Sequence, residues 1–176
     1  CWFVQDDGIA FFPSQSNSVE QRLVDDHDRA IITKSETDSV KLITKGQVEM
    51  TEDRPVLRVS ARADAAASGW LVFALRPYNP EGVQFIEKAE ILPEENGWLV
   101  DGKTAVTFTD MPEKFLFSDY RQGDVSLTLL EPPEASSQEC PIGMVTAAAM
   151  KRVEGDTSAD ESFGYSIELP FSENYP

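Results

Sequence analysis

Few residues in this chain can do chemistry. There is one histidine, His27, set in Asp25-Asp26-His27-Asp28. It could bind a cation or act as a base oriented by carboxylates, but a solvated turn between two strands accounts for the same residues. No second cluster has metal-ligand spacing, and no EF-hand pattern surrounds the aspartates. The G-x-S-x-G nucleophile motif and both glycine-rich phosphate loops are absent. A Ser/His/Asp or Cys/His site would have to use His27. No metal, no cofactor and no catalytic residue is expected.

Paired carboxylates are the remaining option. Glycoside hydrolysis uses two carboxyls roughly 5–10 Å apart, one with a raised pKa. With 31 acids, close pairs arise by chance. Glu94-Glu95 read as solvent-facing. Asp119 and Asp124 bracket Tyr120-Arg121-Gln122-Gly123 and make a better functional surface, although a structural loop is the favoured reading. Trp2, Trp70, Trp98 and Tyr78 carry rings that could stack on sugars, and each is read first as packing. Trp70 opens a buried strand, whereas Trp98 stands between two tight turns and is expected to be partly exposed. Tyr78, in Arg76-Pro77-Tyr78-Asn79-Pro80, is the aromatic most readily placed at a surface or interface. Two prolines stiffen this loop, so Arg76, Tyr78 and Asn79 can be presented at little ordering cost. The Arg76 fork suits a carboxylate, with Asp119 or Asp124 as expected partner. That pairing is either an internal clamp, the favoured reading, or part of a contact surface. The binding or interface candidates are Arg76, Tyr78, Asn79, Trp98, Asp119, Tyr120, Arg121 and Asp124.

The elements that must position these residues follow from composition and period. The 176 residues carry 15 Lys plus Arg against 31 Asp plus Glu, a net charge of −16. That balance argues against nucleic-acid and anionic-membrane partners, which need clustered basic residues. No apolar run approaches the roughly 20 residues that span a bilayer. A hydrophobic share of 41% supports a packed core. Cys1 and Cys140 do not make a disulfide framework, and Cys140, in an apolar run, reads as a buried thiol. The start at Cys1 has no signal-type segment, so residues 1–176 read as one domain cut from a longer protein, with a cytoplasmic setting favoured.

The dominant period is two, the period of a strand. Strands are expected over 19–24, 30–33, 39–44, 48–50, 55–62, 84–91, 98–100, 103–108, 114–117, 125–130 and 163–169. Gly69 to Leu75 is apolar without alternation, as expected of a central strand covered on both faces. Asn96-Gly97 and Asp101-Gly102 suit type I′ turns, which need two residues at positive φ. Glu131 to Glu139 reads as a loop, and Gly143 to Val153 as strand or short helix. No long amphipathic helix and no repeat is present. The fold class is therefore an all-β antiparallel sandwich.

Four segments together resemble a known family. They are Leu75-Arg76-Pro77-Tyr78-Asn79-Pro80-Glu81-Gly82-Val83, Gly97-Trp98-Leu99-Val100-Asp101-Gly102, Tyr120-Arg121-Gln122-Gly123-Asp124 and Cys140-Pro141-Ile142-Gly143-Met144. Over roughly residues 18–150 they resemble the N-terminal sandwich of bacterial glycogen-debranching and glucoamylase-like glycoside hydrolases. The resemblance implies a supersandwich of the galactose-mutarotase-like kind, followed in the same polypeptide by an (α/α)6 barrel that holds the catalytic acid and base. No catalytic residue carries over. A mutarotase would want histidines that this chain lacks.

The leading functional expectation is a non-catalytic sandwich domain that packs on such a barrel or shapes its substrate site, with oligosaccharide as a further partner. A free-standing carbohydrate-binding module and a small glycan-acting enzyme using a carboxylate pair are the alternatives. An exposed aromatic row on one sheet would favour the module, and a pocket with two close, desolvated carboxyls the enzyme.

Overall fold

The structure is a computed structural model, and it describes residues 1–24, 29–51, 54–79, 82–92, 94, 96–130, 135–155 and 162–170. His27 and its flanking aspartates lie outside these residues. In chain order the strands are β1 (Trp2–Gln5), β2 (Ala10–Phe11), β3 (Val19–Val24), β4 (Ala30–Glu36), β5 (Val40–Met50), β6 (Pro55–Ala65), β7 (Gly69–Leu75) and β8 (Tyr78–Asn79). They continue as β9 (Gly82–Val83), β10 (Lys88–Leu92), β11 (Gly97–Val100), β12 (Thr104–Phe108), β13 (Lys114–Asp119), β14 (Ser137–Glu139), β15 (Val145–Val153) and β16 (Phe163–Glu168).

Two antiparallel sheets face each other. One has five strands, in the order β13-β15-β7-β1-β2. The other has nine, in the order β14-β10-β11-β12-β16-β6-β5-β4-β3, and β8 pairs with β9 in a small separate hairpin. The antiparallel sandwich expected from the period-two pattern is the observed fold. Among the described residues no helix is long and apolar enough to cross a membrane.

The core between the sheets is aromatic. Phe108 lies at its hub, with ring centroids of Trp98, Phe163, Tyr165, Phe115 and Phe73 at 5.1, 5.3, 6.0, 6.1 and 6.4 Å. A second core lies on the outer face of the five-stranded sheet. There Trp2, Val4, Val72, Leu116, Ala148 and Met150 are covered by Val125 and Leu129. This explains why β7 lacks alternation: Leu71 and Phe73 enter the inter-sheet core, while Val72 faces the second one. It also decides the form of 145–153. Ala147 and Ala149 face one core and Ala148 the other, so this alanine run is a central strand.

Several expectations need correction. The strands expected over 39–44 and 48–50 are the single strand β5, and of 84–91 only the part from Lys88 onward is strand, in β10. Residues 125–130 do not form a strand; Val125–Leu127 is a 3-10 turn capped by Asp124, whose side chain accepts from the Ser126 amide. Val125 and Leu129 plug the second core, while Leu127 between them is exposed. Ser137–Glu139, read as loop, adds an edge strand beside β10. The Asn96-Gly97 turn is not type I′, since only Asn96 has positive φ (51°), whereas Asp101 and Gly102 both do (52° and 65°). Gly97 is required for another reason: a Cβ there would lie 2.1 Å from the Val106 carbonyl oxygen.

Candidate functional site

The Arg76 loop begins where β7 ends. Pro77 is fully buried, and its carbonyl accepts from the Gln84 amide at 2.8 Å. β8 and β9 then pair Tyr78 with Val83 and Asn79 with Gly82. Across from this loop, the chain leaving β13 turns over the outer face of the five-stranded sheet. Ser118 Oγ donates to the Gly123 carbonyl at 2.6 Å, and the Val125 amide donates to Thr146 Oγ1 at 3.0 Å. These bonds bring Asp124 to Arg76.

Arg76, Tyr78 and Asp124 form one cluster. Arg76 Nε donates to Asp124 Oδ2 at 2.9 Å. The Tyr78 hydroxyl donates to the same oxygen and accepts from the Arg76 guanidinium. The guanidinium carbon lies 4.3 Å from the Tyr78 ring centroid and 5.3 Å from that of Trp2, within cation–π range of both rings. The Ser126 amide donates to Asp124 Oδ1 at 2.9 Å. Of the two partners expected for Arg76, the structure selects Asp124. Asp119 instead closes its own turn, accepting from the amides of Arg121 and Gln122, and reaches the other sheet through Gln138 Nε2 at 3.2 Å.

The remaining candidates divide. Tyr120 and Arg121 are exposed and bond to each other, Arg121 Nε donating to the Tyr120 hydroxyl at 3.0 Å. Asn79 contributes backbone pairing in β8. Trp98 corrects the expectation of partial exposure: it is 3% exposed and packs edge-on against Phe108. Its neighbouring turns are at the surface, but its ring points between the sheets. Trp2 was readable as an aromatic, yet its place beneath Arg76 depends on β1 lying beside β7, which no local pattern announces. Trp70 is half-buried, with Lys114 Nζ 4.1 Å from its ring centroid.

Electrostatically, Asp124 is a counterion and not a proton donor. Burial pushes its carboxyl up, but the Tyr78 hydroxyl, the Ser126 amide and the Arg76 charge outweigh it, leaving it below the ordinary carboxylate value. Burial raises the Tyr78 phenol, and Asp124 raises it further. A carboxylate held in this way lacks the raised pKa of a glycosidase acid.

The sign of the pH dependence follows. Because folding lowers the Asp124 pKa, its contribution is fully present above the unfolded value of about 3.9 and is lost as pH falls through the folded one. The stability gap between the native chain and Asp124→Asn is therefore expected to be constant above about pH 5 and to shrink below about pH 4. Urea titrations of both proteins across that range measure it, and a gap that stays constant to pH 2 contradicts the assignment.

Around the cluster, exposed apolar side chains stand among polar ones such as Gln84, Arg121 and Gln122. Val83, Phe85, Tyr120 and Ile142 are exposed. Val83 pairs with Tyr78, and Phe85 packs so closely on Gly143 that a Cβ there would lie 2.5 Å from its own Cβ. Among the described residues no group of three His, Cys, Asp or Glu side chains could hold a metal.

No protein-family model matches the chain, and a search of curated proteins finds no match. Among solved structures, a bacterial glucoamylase complexed with acarbose has a similar fold, with a TM-score of 0.59 and 11% sequence identity. The similarity covers 94% of this chain and 26% of that one. The chain thus spans about a quarter of the glucoamylase chain, and the resemblance read from the four sequence segments is matched at the level of fold.

Proposed function

We propose that this chain is a non-catalytic β-sandwich domain of a larger carbohydrate-active protein, packing on a glycoside hydrolase barrel and shaping its substrate site. The observation that carries this reading is the fold match, which takes in nearly all of this chain and only 26% of the glucoamylase chain. The cluster at the end of β7 supports it. Its one carboxylate, the half-buried Asp124, is spent on Arg76, and the apolar side chains around Tyr78 suit a packed contact better than a solvated loop. The exposed aromatics Tyr78, Phe85 and Tyr120 gather at that end and do not line one sheet, which favours a domain contact over a sugar-binding row.

The expected result is no turnover of α- or β-glucosides by the purified chain, measured by glucose release. Hydrolysis that survives purification and disappears when a carboxylate pair of this chain is substituted overturns the reading. Calorimetry with maltooligosaccharides tests the binding-module alternative, which requires sugar binding by the chain alone.

A further inference from the structure

Among the described residues the nine-stranded sheet ends on β3, with no strand paired on its outer side. Val19 pairs with Ser35 and Leu23 with Ile31, while the Glu36 amide donates to the Ser18 carbonyl at 3.1 Å. Bonded and non-bonded pairs alternate along an antiparallel ladder. Val19, Gln21 and Leu23 therefore aim their N–H and C=O groups away from β4, and no backbone partner for them is found among the described residues. The opposite edge, β14, is only three residues long. β3 has six residues, with no proline, lysine or bulge. Of the usual devices that blunt an edge it carries only two charged side chains, Glu20 and Arg22.

Its side chains are self-complementary. By strand alternation Glu20 and Arg22 share the outer face, while Val19, Gln21 and Leu23 share the inner one. Five strands do not cover nine, so Leu23 is 70% exposed and its cross-strand neighbour Ile31 50%. Consider two copies antiparallel about a two-fold axis, with Gln21 opposite Gln21 of the second copy. Glu20 then meets Arg22 of the second copy, and Arg22 its Glu20. On the inner face, Val19 meets Leu23. A slip of two residues either way puts Glu20 against Glu20 or Arg22 against Arg22, which is unfavourable.

We propose that β3 is a homodimerisation edge on which a second copy of this chain adds its own β3 antiparallel in the Gln21-to-Gln21 register. The inference is independent of the function proposed above. The net charge of −16 opposes self-association at long range, but that repulsion is screened beyond about 8 Å at physiological salt. Glu20, Arg22, Lys34 and Glu36 near the edge sum to zero.

Sedimentation equilibrium of the chain at physiological salt, from micromolar to near-millimolar concentration, tests it with Glu20→Arg, Arg22→Glu and the double variant. A concentration-dependent dimer is expected. Each single reversal sets like charges opposite each other twice and weakens the dimer more than about tenfold; the double reversal restores it to within a few-fold. Circular dichroism is expected to be the same for all four proteins. A chain that stays monomeric throughout overturns the proposal. So does a dimer indifferent to the single reversals, or a double variant that does not recover.

Discussion

Phe108→Ala is expected to cost about 3–5 kcal/mol, the range for truncating a fully buried phenylalanine. The ring is 3% exposed and touches five other aromatic rings from both sheets. Truncation thus removes the apolar burial and several edge-to-face contacts, each worth about 0.5–1.5 kcal/mol beyond area. Neighbours on paired strands cannot close the gap without shifting the ladders of β12 with β11 and β16. Against a total of about 5–15 kcal/mol, such a loss leaves the domain barely folded. Urea unfolding followed by tryptophan fluorescence measures it, since Trp98 reports from the same cluster. A loss under about 1 kcal/mol would show that the cluster repacks freely.

Asp124→Ala is expected to cost about 2–3 kcal/mol, because it leaves a guanidinium between two rings without its counterion and strips the cap from the Val125–Leu127 turn. That corresponds to a fall in Tm of about 4–10 °C for a chain of this size. The loss extends beyond the ion pair, since Asp124 is the last anchor before Val125 and Leu129 enter the second core. A double-mutant cycle with Arg76→Ala isolates the pair, with an expected coupling of about 1–2 kcal/mol. The same substitutions, with Tyr78→Ala, in the full-length protein separate clamp from interface. If activity per folded molecule is unchanged there while stability falls equally in both forms, the cluster is a clamp alone.

The site was partly legible because its chemistry is local in type. A proline-bracketed Arg-Pro-Tyr needs a counterion, and Asp124 closes a short polar loop after an apolar strand. What the residues left open was which of two acids five positions apart would turn towards Arg76. Backbone geometry decided that: Asp119 faces the inter-sheet side and is taken up by Gln138 and its own turn, while the chain must reach Asp124 before it crosses the outer face. Residues 125–130 misled for a related reason, since apolar alternation reports only that two side chains are buried on one side. Of the alternating Val125, Leu127 and Leu129, only the first and last are buried, four positions apart across a 3-10 turn, while Leu127 is exposed.

By itself the sequence determined the class of this protein. Period-two patterning demands sheets with one buried face, and the unbroken run of β7 demands cover on both. A single histidine and the absence of nucleophile and phosphate motifs turn the reading away from the common enzyme chemistries before any coordinate is known. How nine strands are set against five, where Trp98 and Trp2 come to rest, and that β3 is an edge among the described residues were settled only in the folded chain. These outcomes depend on pairings between segments far apart in the chain, such as β16 with β6 and β15 with β7. Side-chain alternation records which face of a strand is buried, but carries no record of which strand lies beside it.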